Sequence, residues 1–246
     1  MPRTFASLLF TIIFVALVPF AQAQAPHTDQ LEDLEKVKAL MDSGRIDESI
    51  EALSKLIESN PTPLTYYYRG MALSLKGFHG LAIKDYSEAI KGDPGKSAYF
   101  ARRGISRLSL GDYAEAISDL NKALEIEPLS SSVISFRSRA MLMTGRPTQA
   151  LEDINRAIQI SPHSSGLFKL RADIFTALGS YEDAVLDYDR AIQINPGFAP
   201  AFNNRGIALA NLKKIKEAVD DLNTAMDLAA SKPSGIKNGG FPSTPW

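Results

Sequence analysis

Residues 97–130, SAYFARRGISRLSLGDYAEAISDLNKALEIEPLS, hold two amphipathic runs parted by Gly111 and closed by Pro128. Proline stops the second run because it lacks an N–H and restricts the residue before it. The pattern recurs outward in both directions. Pro94, Pro128, Pro162 and Pro196 stand at a constant interval of 34 residues (128 − 94, 162 − 128, 196 − 162). Gly77, Gly111, Gly145 and Gly179 keep the same phase, so each unit is broken into two helices. Alanine follows at Ala82, Ala116, Ala150, Ala184 and Ala218, and again at Ala89, Ala123, Ala157, Ala191 and Ala225. Small residues at this spacing let two antiparallel helices approach closely. Bulky residues fill the rest of the core: Tyr66, Phe100, Ile134, Phe168 and Phe202 on first helices, Tyr86, Leu120, Ile154, Tyr188 and Leu222 on second helices.

A period of this length marks stacked supersecondary units, none of which buries its apolar face alone. The order of features, as in Phe100…Gly104…Ala116…Leu120…Ala123…Pro128, resembles that of the tetratricopeptide-repeat family. The expected fold is therefore all-α, a right-handed superhelical solenoid of about six stacked helix-turn-helix units. Its array spans 30–230, with a degenerate first unit at 30–62 and further units at 63–96, 97–130, 131–164, 165–198 and 199–230. In the first unit Leu31, Leu34, Val37 and Met41 follow helical spacing, Gly44 makes the break, and Ser49 replaces the alanine. The last unit has Lys213 in place of its mid-unit glycine and lacks the closing proline. Without a further helix, Val219, Leu222, Met226 and Leu228 are expected to leave an apolar edge partly open.

Both flanks differ in composition. Arg3 precedes a run from Phe5 to Phe20 that is almost wholly apolar (20 − 5 + 1 = 16 residues), short of the roughly 20 needed for a spanning helix. Ala21-Gln22-Ala23 then supplies the small-x-small pattern of a signal-peptide cut. The expectation is a signal peptide at 1–23, a linker at 24–29, and a protein that is periplasmic or secreted, with no integral span after cleavage. Residues 231–246, rich in Gly, Pro and Ser, read as a disordered tail whose Phe241 and Trp246 are available to cover the last unit.

Little in the chain suggests chemistry. Cysteine is absent, which removes disulfides, thiolate nucleophiles and cysteine metal sites. The three histidines, His27, His79 and His163, have no carboxylate or second histidine at ligand spacing and read as solvated loop residues. A net charge of −1 gives no field for nucleic acid. The expectation is no enzyme, no cofactor, no metal and no nucleic acid.

Arg69, Arg103, Arg137, Arg171 and Arg205 recur beside Asp85, Asp119, Asp153, Asp187 and Asp221 with the same period. Five matched pairs neutralise one another and are expected to fix register as exposed ion pairs worth about 0–1 kcal/mol each. Resemblance to the family implies that first helices line a concave groove where a protein or peptide partner lies. The second unit would contribute Tyr67, Tyr68 and Met71, and the third Arg102 and Ile105. The fourth would give Phe136 and Arg139, the fifth Lys169 and Leu170, and the sixth Asn203, Asn204 and Ile207. Such a mixture suits a peptide with hydrophobic anchors and some negative charge. The second expectation is self-assembly, a homodimer formed through the uncapped C-terminal edge.

Overall fold

The computed structural model describes residues 25–231, with side chains from residue 32 onward. The expected signal peptide and the tail residues Phe241 and Trp246 lie outside the described residues. Twelve α-helices and no strand are present among the described residues. They form six hairpins: α1 (Ala25–Asp42) with α2 (Ile46–Ser59), α3 (Pro63–Leu75) with α4 (His79–Gly92), and α5 (Ser97–Leu110) with α6 (Tyr113–Ile126). Then come α7 (Ser131–Met143) with α8 (Pro147–Ile160), α9 (Ser165–Ala177) with α10 (Tyr181–Ile194), and α11 (Ala199–Asn211) with α12 (Ile215–Ala230). Each helix packs on the next in chain order, as a solenoid requires. Helix α1 takes in residues 25–29, which the sequence assigned to a linker. Pro26 is no obstacle there, since a first-turn N–H has no intrahelical partner to lose.

The periodic residues explain the elements. Gly44, Gly77, Gly111, Gly145 and Gly179 all have left-handed backbone, with φ between 73° and 87°, in the turn inside each hairpin. In the sixth hairpin Lys213 holds the same conformation at φ 63°, although its Cβ disfavours it. Both alanine columns are fully buried from α4 to α10. At Gly70 an added Cβ would meet the Tyr86 ring at 2.7 Å, so the helices touch there with no room for a side chain. The core runs between hairpins: Leu120, Ala123 and Leu124 of α6 share one cluster with Val133 and Ile134 of α7, Ile154 of α8 and Leu170 of α9.

The charged columns form a ladder. Each arginine Nε and Nη2 donates to both carboxylate oxygens of the aspartate sixteen residues on, in the same hairpin, at 2.6–2.9 Å. Each Nη1 also reaches back to the second helix of the preceding hairpin. Its acceptors are Ser54, Ser87, Asn121, Asn155 and Asp189 in turn. The guanidinium thus ties two hairpins together. These are not the exposed pairs expected, because the aspartate side chains are only 4–11% exposed. At that burial, losing one partner strands a charge, which costs far more than an exposed pair contributes.

Candidate interaction groove

Successive first helices touch one another: α3 meets α5, α5 meets α7, α7 meets α9, and α9 meets α11. No comparable contact joins the second helices. The stack therefore curves with first helices on its inner side, and their outward residues make one continuous face.

At the α3–α5 end this face is aromatic. The Tyr67 ring lies 5.0 Å from Tyr99, 5.5 Å edge-on from Tyr68 and 6.1 Å from Tyr86, centroid to centroid. Burial pushes the Tyr67 hydroxyl above the usual phenol range, while a hydrogen bond with Arg102 pulls in the opposite direction. Tyr86 is fully buried; its hydroxyl lies 3.3 Å from Ser74 Oγ, which also lies 3.1 Å from Ser106 Oγ. Burial holds that phenol neutral far into alkali.

In the middle, Phe136 is half-buried against the core and Arg139 stands in solvent. Arg139 is alone among the described arginines in making no hydrogen bond or ion pair. An exposed, unneutralised guanidinium is ready to donate to a carboxylate.

Toward α9–α11 the face becomes a hydrogen-bonded network around Asp173. Its Oδ1 accepts from Tyr188 Oη at 2.8 Å and Asn204 Nδ2 at 2.9 Å, and its Oδ2 from Lys169 Nζ at 2.7 Å. Asn203 Nδ2 donates to Asn204 Oδ1 at 3.0 Å. Burial, then the Asp173 charge, pushes the Tyr188 hydroxyl strongly up. Lys169 is thus neutralised locally, so the positive charge of the groove is concentrated near its centre.

Of the twelve expected groove residues, ten are half-buried or exposed and two are withdrawn. Ile105 and Leu170 are buried. Both are aliphatic and gain by turning inward, whereas Arg139, one repeat beyond Ile105, keeps its charge in water. One contributor was missed. Asp173 falls in the column of Met71, Ile105, Arg139 and Ile207 and was detectable by the 34-residue interval alone. Tyr99 is buried like Thr65, Val133, Leu167 and Ala201 of its column, and it backs the Tyr67 ring from the core.

His79 is not a loop residue: it begins α4, and its Nδ1 is buried without a hydrogen-bond partner. Burial lowers its pKa accordingly. His163 is exposed. Among the described residues no group of three or more histidines and acids is placed to hold a metal, and no helix is long and apolar enough to cross a membrane.

Comparisons with known proteins bear on this geometry. A family profile described as "Tetratricopeptide repeat" matches residues 34–97 and 101–165, a second of the same description matches 199–232, and one described as "TPR repeat" matches 172–213. No curated protein matches the chain in sequence. Among solved structures, a tetratricopeptide repeat protein from Parabacteroides merdae ATCC 43184 superposes with a TM-score of 0.70 at 18% identity, covering 82% of this chain and 80% of that one. YrrB, described as "a TPR protein with an unusual peptide-binding site", gives a TM-score of 0.57 at 21% identity over 74% of this chain and 94% of its own. MamA from Desulfovibrio magneticus RS-1 gives 0.62 at 17% identity over 70% and 97%. Similarity at these identities establishes the shared fold.

Proposed function

The chain belongs to the tetratricopeptide-repeat family, and on that premise we propose that it is a non-enzymatic scaffold or adaptor binding a peptide segment of another protein along its inner face. The observation that carries this is the sequence of chemistries on one face. An aromatic cluster around Tyr67 and Tyr68 is followed by the unpartnered Arg139 and then by the amide groups of Asn203 and Asn204. A bound segment would lay apolar side chains against the rings, a carboxylate on Arg139, and backbone amides on the two asparagines. The description of YrrB as having a peptide-binding site favours the same use of the fold. The scaffold acts outside the cytoplasm in this proposal, supported by the apolar run Phe5–Phe20 and the Ala21-Gln22-Ala23 cut signal.

Affinity capture from the native compartment supplies the partner, and titration calorimetry then tests the face. Arg139→Glu should weaken binding at least tenfold with an unchanged melting temperature, because Arg139 is exposed and makes no hydrogen bond or ion pair within the described residues. The protein recovered in that capture should begin at Gln24. Equal affinity for the Arg139→Glu variant would remove the groove from the binding mechanism.

A further inference from the structure

The face of α12 turned away from the array matches in chemical type the face that α6 and α8 turn toward their next neighbour. Helix α6 carries Ile117, Leu120, Asn121 and Leu124; α8 carries Leu151, Ile154, Asn155 and Ile158; α12 carries Val219, Leu222, Asn223 and Met226 at the same 34-residue columns. On α6 these positions are covered, and on α8 they are buried or half-buried. Ile117 is 8% exposed, Leu120 0% and Leu124 7%. Their counterparts on α12 are open, with Val219 at 49%, Leu222 at 36% and Met226 at 69%.

The acceptor column, Ser87, Asn121, Asn155 and Asp189 in the interior hairpins, gives the open face a specific requirement at Asn223. Asn121 Oδ1 accepts from Arg137 Nη1 of α7 at 2.8 Å, and Asn155 Oδ1 from Arg171 Nη1 of α9 at 2.9 Å. Asn223 is exposed and has no such donor among the described residues. Asp220 and Asp227 stand exposed on the same helix and add negative charge beside it. A helix with an apolar stripe and a guanidinium in register satisfies all of these groups together.

Neither end of a second copy meets that requirement. Helix α1 turns Glu32, Glu35, Lys36 and Lys38 outward, with no exposed large apolar side chain among its described residues and no arginine for Asn223. A second α12 would set the same aspartates against themselves and bring no guanidinium to Asn223. We propose that α12 is a second interaction surface, docking an arginine-bearing amphipathic helix of a partner protein in the place a further repeat would occupy. It is independent of the inner face.

The test uses a probe of known docking geometry, the labelled synthetic peptide SGLFKLRADIFTA, residues 165–177 of this chain, in fluorescence anisotropy with the full chain. Saturable binding is expected. Met226→Glu should weaken it at least tenfold, and Asn223→Ala about tenfold, the lower end of the worth of one hydrogen bond to a charged donor. The Asn223→Ala loss should vanish when the peptide carries Arg171→Ala. Both substituted side chains are exposed, so melting temperatures should not move. Arg139→Glu should leave peptide binding intact, which separates this surface from the groove. The proposal is overturned by any of three results. These are no binding by the full chain, including binding that appears only after removal of residues 232–246; binding indifferent to Met226→Glu; and a dimer in sedimentation that Met226→Glu dissolves.

Discussion

The two ends of the array solve the same problem differently. The first hairpin ends the stack with charge: α1 turns Glu32, Glu35, Lys36 and Lys38 to water, and Lys36 bridges Glu32 at 3.1 Å and Asp33 at 3.3 Å. Its apolar residues Leu34 and Val37 point inward and are buried with Leu53. Among the described side chains of α1 and α2 no large apolar group is exposed. The last hairpin ends with an interior surface left open, where Ile215, Val219, Leu222 and Met226 all face solvent. A terminal repeat needs a polar outer face to stay soluble. By that criterion the first hairpin presents a capping surface and the last, among the described residues, does not.

This difference should be measurable as a gradient in tolerance. Ala116 is completely buried between α5 and α6 with hairpins on both sides. Ala116→Phe should overpack that contact and cost about 3 kcal/mol or more. Ala225, in the last helix and 8% exposed, has neighbours on one side only. Ala225→Phe should cost less than about 1 kcal/mol, because a ring can lean into the open edge. Urea unfolding, followed helix by helix through amide exchange, separates the two. Equal losses would mean that the last hairpin is as enclosed as the third.

The arginine ladder sharpens the same contrast. Removing the carboxylate by Asp153→Ala leaves the Arg137 guanidinium, 17% exposed, with only the neutral Asn121. The expected cost is about 3 kcal/mol, at the lower end of what a stranded buried charge entails. Asp221→Ala should cost only about 1 kcal/mol, since Arg205 retains the carboxylate of Asp189. Chemical denaturation of the two variants under one buffer condition gives the comparison directly.

The fold was legible because each packing decision recurs at one interval: a column of alanines, a column of glycines and a column of prolines admit one arrangement. The pairing of arginine with aspartate was legible for the same reason. Its burial was not, because the depth of a side chain between hairpins depends on how closely the alanines let helices approach, and no single position encodes that. The groove was read less well. Met71, Ile105, Arg139, Asp173 and Ile207 occupy one column, yet the structure buries Ile105, exposes Arg139 and Ile207, and engages Asp173 in three hydrogen bonds. At the boundary between core and groove, side-chain chemistry decides the outcome, and periodicity alone does not. Ile207 is open for a further reason, since no later first helix stands beside α11 among the described residues.

The smallest effect concerns the turn that sets the last helix in place. Five hairpins make this turn with glycine, and the sixth makes it with Lys213 at φ 63°. A left-handed residue with a Cβ costs roughly 1 kcal/mol relative to glycine, so the hairpin with the open edge is also the one with a strained hinge. Lys213 is exposed and makes no ion pair, so nothing offsets that cost. Lys213→Gly should therefore stabilise the chain by about 0.5–1 kcal/mol, with the gain confined to amide protection in α11 and α12. Gly145→Lys, the reverse exchange inside the array, should destabilise by a similar amount and spread its effect to both neighbouring hairpins. A gain from Lys213→Gly distributed evenly over all twelve helices would show that the last hairpin does not open on its own, and the two ends would then differ in surface alone.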